Sequence, residues 1–198
     1  MHLPDRTFVS MATSNIYIAL LHYPVYNKKG DIVTTAVTNM DIHDISRVAR
    51  TYGVKRFYII TPLEQQQEFV RRILYHWQEG HGVSYNPWRK EALDITALKN
   101  TLDDAVRDIE EESASRVILV ATGASSRDRF LRFEDFRRKI TENTDAYLLI
   151  FGTGWGIADE IVDQADICIE PIRGPSSYNH LSVRSAVSIV LDRLLGIR

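Results

Sequence analysis

Leu149-Ile-Phe-Gly-Thr-Gly-Trp-Gly-Ile157 is the stretch on which the reading of this chain turns. An apolar run of strand length, 147–151, feeds a glycine turn, and a short helix follows over 157–164. Glycines at such a junction let backbone approach a ligand, and a helix start offers unpaired N–H donors. A dinucleotide site is the obvious competitor, with Glu170 placed where a ribose-binding acid would stand. The spacing is G-x-G-x-G, however, and only 42 residues follow Gly156. A dinucleotide fold builds further strands after its fingerprint, so a nucleoside-type ligand ranks above nicotinamide. A tight turn with no ligand explains the loop equally well when it is taken alone.

Outward from this loop the chain alternates strands and helices. Strands are expected over 16–23, 56–61, 116–121 and 167–170. Helices are expected over 38–52, 63–77, 96–112 and 180–195, the last with Val183, Ala186, Val187, Val190, Leu191 and Leu194 in a helical stripe. Ile189 and Leu195 widen that stripe, so the helix is expected to pack on two sides. Residues 27–31 read as a turn, 80–91 as an irregular loop, and 127–139 as basic and partly helical. The alternation predicts one α/β domain over 15–198, a mostly parallel sheet flanked by helices, behind a flexible leader, 1–14. Ligands in such sheets sit at the carboxyl ends of strands. Three strands end in loops of small or special residues, after Ala121, Gly152 and Pro171.

Composition narrows the classes. With 198 residues and 44% hydrophobic content, the chain buries a real core. One cysteine, Cys168, excludes an intrachain disulfide. No apolar run nears the ~20 residues of a membrane span, and the leader lacks the apolar centre of a signal peptide. A cytoplasmic protein is expected. The net charge of -2 means that any nucleic-acid contact must come from a local patch. The six histidines show no metal-ligand spacing with Cys168, and no metal site is expected.

Three further stretches carry candidate chemistry. In 171–179, Pro171, Gly174 and Pro175 stiffen a long loop, while Ser176, Ser177 and Asn179 can cap the helix that follows. On the first helix, His43, Arg47 and Arg50 share a polar face suited to holding phosphate, against the plainer reading of an exposed face with Asp44 and Arg47 spaced as a weak ion pair. In the basic run, Arg127, Arg129, Arg132, Arg137 and Arg138 are candidates for RNA contact, interleaved with Phe130, Phe133 and Phe136, which read as helix anchors.

Taken in order, 39–54, 148–157 and 179–186 resemble the three motifs of the knotted SpoU/TrmD (SPOUT) methyltransferases, and the run 16–195 resembles a small family of RNA methyltransferases. Arg47, six residues before Gly53, matches the first-motif arginine. The resemblance implies a C-terminal trefoil knot, a homodimer packed across the last helix, and S-adenosylmethionine (SAM) held mainly by backbone. The cofactor would lie among Ala121, Thr122 and Gly123; Phe151, Gly152, Thr153, Gly154 and Gly156; and Ile172, Gly174, Asn179, His180, Leu181, Ser182 and Ala186. The substrate implied is tRNA or rRNA, methylated on a base or a ribose 2′-oxygen. Arg47 is the expected catalytic residue and Asp44 the alternative base. SpoU ribose methylases place asparagine and serine where this chain has Ser182 and Arg184, which opens the acceptor atom to question. The competing readings are a non-catalytic RNA-binding dimer of the same fold and a nicotinamide-dependent oxidoreductase. Gly154→Val is expected to bar the cofactor while leaving the fold intact.

Overall fold

The computed structural model describes residues 15–123 and 130–197. The leader, 124–126 of the small-residue turn, and the candidates Arg127 and Arg129 lie outside the described residues.

The first strand, β1 (Ile16–Leu21), is buried at every position and forms the middle of the sheet. A hairpin of β2 (Val25–Tyr26) and β3 (Ile32–Val33) leads to α1 (Asn39–Thr51). Thr38 caps α1 by accepting from the Asp41 N–H. Next come β4 (Arg56–Ile60), α2 (Glu64–Gln78), α3 (Gly82–Tyr85), α4 (Pro87–Leu93) and β5 (Thr96–Lys99). The second half runs α5 (Leu102–Ser113), β6 (Val117–Ala121), α6 (Phe133–Glu142), β7 (Ala146–Gly152), α7 (Asp159–Val162), β8 (Ile167–Cys168) and α8 (Val183–Leu195).

Six strands lie in the order β5-β4-β1-β7-β6-β8, and every pairing in that sheet is parallel. The chain builds outward from β1 to β5, then crosses to the other side of β1, so the order reverses between β1 and β7. Parallel sheets of this kind open a crevice at such a reversal, beyond the carboxyl ends of the strands. Helices cover both faces. Buried residues of α1, α2, α4, α6 and α8 join one core, which includes Phe57, Phe136 and Leu191. Residues of α5 join a second core with Tyr17, Tyr58 and Leu148.

Three expected elements are corrected. Residues 96–112 are not one helix. Thr101 and Asp104 form a reciprocal capping box, so α5 starts at Leu102, and 96–99 pair with β4 as a strand. Leu98 accordingly packs on the opposite face of the sheet from Leu102, Ala105 and Ile109. Residues 80–91 are not irregular either. The Asn86 side chain accepts from the Arg89 N–H and Pro87 occupies the first turn, which together start α4. The last helix begins later than 180. Ser182, rather than Asn179, is its cap, and it accepts from the Ser185 N–H.

Candidate functional site

Beyond the carboxyl ends of β1, β6 and β7 lies a cleft of about 840 Å³. That volume falls in the range that takes a nucleoside-sized ligand. Its walls come from the loops after β6, β7 and β8 and from the first turns of α8. Fourteen of the fifteen residues expected to hold a cofactor line it. Gly174 does not, being exposed at the tip of its loop. Val183, Ala186 and Val190 give the cleft an apolar wall suited to a flat ring. Cys168 also lines it, half-buried.

The glycine loop is shaped by the hairpin beneath it. Gly154 has φ +61° and Gly156 has φ +115°, conformations that disfavour other residues. A Cβ on Gly154 would meet the Tyr26 carbonyl oxygen at 2.8 Å. The Trp155 N–H donates to that oxygen at 2.9 Å, and the Tyr26 N–H donates to the Gly156 carbonyl at 2.9 Å. Hairpin and glycine loop thus form one unit. The start of α7 is a weak donor: the Asp159 N–H donates to the Tyr26 hydroxyl, and the helix is a single turn. A one-turn helix makes a poor phosphate anchor for a dinucleotide. Glu170, the would-be ribose acid, accepts from the Phe133 N–H at 2.7 Å and so helps start α6.

Sequence reasoning missed a polar chain in the floor. The Thr153 and Thr35 hydroxyls share a hydrogen bond, and Thr35 Oγ1 shares another with His22 Nδ1 at 3.1 Å. Thr153 Oγ1 also donates to the Leu21 carbonyl. His22 is fully buried and its Nε2 has no partner among the described residues. Burial pushes its pKa down to about 4, with the Asp41 charge opposing, so the ring is neutral near pH 7.

Three acids line the cleft, Asp41, Asp159 and Glu170, and Asp44 is not among them. Asp41 lines the wall and is 7% exposed. One oxygen accepts from the Thr38 hydroxyl at 2.6 Å, and the other lies 3.4 Å from an Arg184 nitrogen. Asp44 is exposed, does not line the cleft, and pairs with the same guanidinium at 3.4 Å. The spaced pair of Asp44 and Arg47 does not form. Arg184 instead ties the first motif to the third. Arg47 is exposed on α1 and does not line the cleft. Of the basic run, Arg137 donates to the carbonyls of Arg193 and Gly196 and fastens α6 to the end of α8. Arg132 and Arg138 are exposed and pair with Glu134 and Asp135. Phe133 and Phe136 are buried anchors, whereas Phe130 is 43% exposed at the cleft.

A fully parallel sheet whose glycine and post-β8 loops close a nucleoside-sized cleft over the first turn of α8 is the fold of solved SpoU methyltransferases. The SpoU methyltransferase AviRb of Streptomyces viridochromogenes, also solved with its cofactor AdoMet, has this fold: TM-score 0.56, 14% identity, 94% of this chain and 61% of that one covered. More narrowly, the chain belongs to a family of SAM-dependent RNA methyltransferases, whose model matches residues 15–196. A protein of Aquifex aeolicus is 40% identical over 186 residues, covering 94% of this chain and 91% of its own length. A tRNA (guanine-N(1)-)-methyltransferase of Oleidesulfovibrio alaskensis is 42% identical over 182 residues, covering 92% of this chain. The chain spans 42% of that relative's length.

Proposed function

We propose that the chain methylates a nucleobase nitrogen of tRNA or rRNA, with SAM in the loop cleft and Asp41 taking the acceptor's proton. The observation that carries this reading is Asp41 itself, a buried carboxylate in the cleft wall fixed on both oxygens by Thr38 and Arg184. A carboxylate suits the N–H of a base, a far stronger acid than a ribose hydroxyl, and one held in place needs no reorganisation. The guanine-N(1) activity in the relative's name agrees with a base acceptor.

The residues present fit the cofactor. Val183, Ala186 and Val190 would face the adenine, and Thr35 and Thr153 line the same cleft. When bound, SAM supplies an electrophilic sulfonium methyl. The chain's own work is to hold the acceptor in line, exclude water and receive a proton at an Asp41 oxygen. Neutral His22 fixes the Thr35 hydroxyl from below. Arg47, off the cleft, serves the RNA side of the reading, as do exposed Arg132 and Arg138. The same reading includes the trefoil knot, a cytoplasmic site of action, and a homodimer built across α8, at whose ends Leu181 and Ile197 are 46% and 91% exposed.

The test is methyl transfer to unmodified tRNA and rRNA transcripts, with the modified nucleoside identified by mass spectrometry. Asp41→Asn is expected to lower kcat by at least a hundredfold, with SAM affinity within threefold of wild type. A 2′-O-methyl product, or an undiminished Asp41→Asn variant, would overturn the assignment.

A further inference from the structure

The excursion between α2 and β5 does little for the core. Of α3 only Gly82 is buried, and of α4 only Ala92 and Leu93. Its outer side leaves Tyr85 77% and Trp88 82% exposed. Trp88 stands on α4, started by the Asn86 cap and Pro87, and Tyr85 closes α3 just before it; rigid exposed aromatics suit recognition better than packing. The excursion is held down by Trp77. A Cβ on Gly82 would stand 2.6 Å from the Trp77 ring, and the Arg89 guanidinium lies over that ring at 5.0 Å. From α1, the His43 ring meets the same indole edge-on at 5.6 Å.

The acids of α1 and α4 are already engaged: Asp41 and Asp44 with Arg184, and Glu91 with Arg50. Arg89 and Arg47 have no ion-pair partner among the described residues. Burial lowers the His43 pKa first and the Arg89 charge next; Asp44 opposes them, and Arg47 adds a smaller lowering. The His43 Nδ1 is buried without a partner. Two guanidiniums without ion-pair partners, beside a partly buried imidazole and exposed aromatics, match the chemistry of a polyanion with unstacked flat rings.

We propose that α3, α4 and the facing side of α1 form an RNA-holding surface, in which Arg89 and Arg47 take backbone phosphates and Trp88 and Tyr85 take unstacked bases. This rests on the RNA reading above and names the surface that grips the substrate. It gives a use to an arginine that the cofactor cleft leaves aside.

The experiment is filter binding of a labelled 20-nucleotide oligouridine, with KM for RNA measured in the methyl-transfer assay. Arg89→Ala and Trp88→Ala are each expected to weaken oligouridine binding and raise KM about tenfold, with kcat, SAM affinity and sedimentation unchanged. Stacking of one base contributes roughly 1–3 kcal/mol, which sets that scale. Arg89→Ala should also reduce the slope of log K against log salt by about 0.7, one single-strand phosphate. Trp88→Phe should restore most of the affinity. Arg116→Ala, at the amino end of β6 and paired with Asp166, should change nothing. Wild-type KM and binding in both variants would overturn the surface and leave the RNA reading standing. Loss of a dimer in Trp88→Ala would overturn it in favour of a contact between copies. A wild-type chain that neither binds oligouridine nor methylates RNA would overturn both.

Discussion

His22 makes the fold sensitive to acid. Its folded pKa, about 4, lies below the ordinary histidine value of about 6.5. Between those two values the unfolded chain binds a proton that the native chain refuses, so stability is full above pH 6.5 and falls as pH drops toward 4. The loss from this residue is on the order of 3 kcal/mol. Thermal melts across that window should show it, and His22→Asn should flatten the slope; an equal slope in the variant would remove His22 as the cause. Arg184 is the second residue to test. Arg184→Ala frees one side of Asp41, and kcat should fall roughly tenfold or more with SAM affinity held, since a positioned base loses efficiency when misaligned. The expectation for Gly154→Val does not survive the geometry. At φ +61° and 2.8 Å from the Tyr26 carbonyl, any side chain there pushes the hairpin away. Gly156 has open space around it, so Gly156→Ala isolates the backbone cost, roughly 1–3 kcal/mol. A differential melt with and without SAM would read both stability and binding.

At the scale of elements, caps decided more than periodicity. Leu98, Leu102, Ala105 and Ile109 fall at helical spacing, and that coincidence hid a strand. The signal that resolves it, Thr101 three residues before Asp104, stood in the sequence as a capping signature. Thr101→Ala should cost about 1 kcal/mol without moving the cleft, which denaturant melts at unchanged m-value would check. The Asn86-Pro87 start of α4 was equally visible. The hairpin was not: strands of two residues leave no period to read. Tyr26 and Thr35 therefore went unrecognised as cleft residues, since what brings them there is a contact between the hairpin and a glycine loop more than a hundred residues away. Loops after β6, β7 and β8 were legible because small residues at strand ends announce themselves locally.

For the whole molecule, the parallel architecture was written in the alternation of apolar runs, while the strand order and the reversal beside β1 depend on long-range pairing. That reversal couples cofactor binding to global stability, because the cleft draws walls from the hairpin, three strand ends and α8. A ligand at a hundred times its Kd adds about 2.7 kcal/mol. For a chain of this size that raises Tm by roughly 5–10 °C. SAM should produce such a shift and NADH none; the reverse pattern would revive the dinucleotide reading. No helix among the described residues is long and apolar enough to cross a membrane.

Cys168 gives the cleft a built-in reporter. It is the one thiol in the chain, and it sits in the cleft wall. A slow alkylating reagent added to native protein can therefore mark only that wall. Its rate should drop in proportion to occupancy as SAM is added, so a mass spectrum taken over time becomes a binding isotherm with no label attached to the protein.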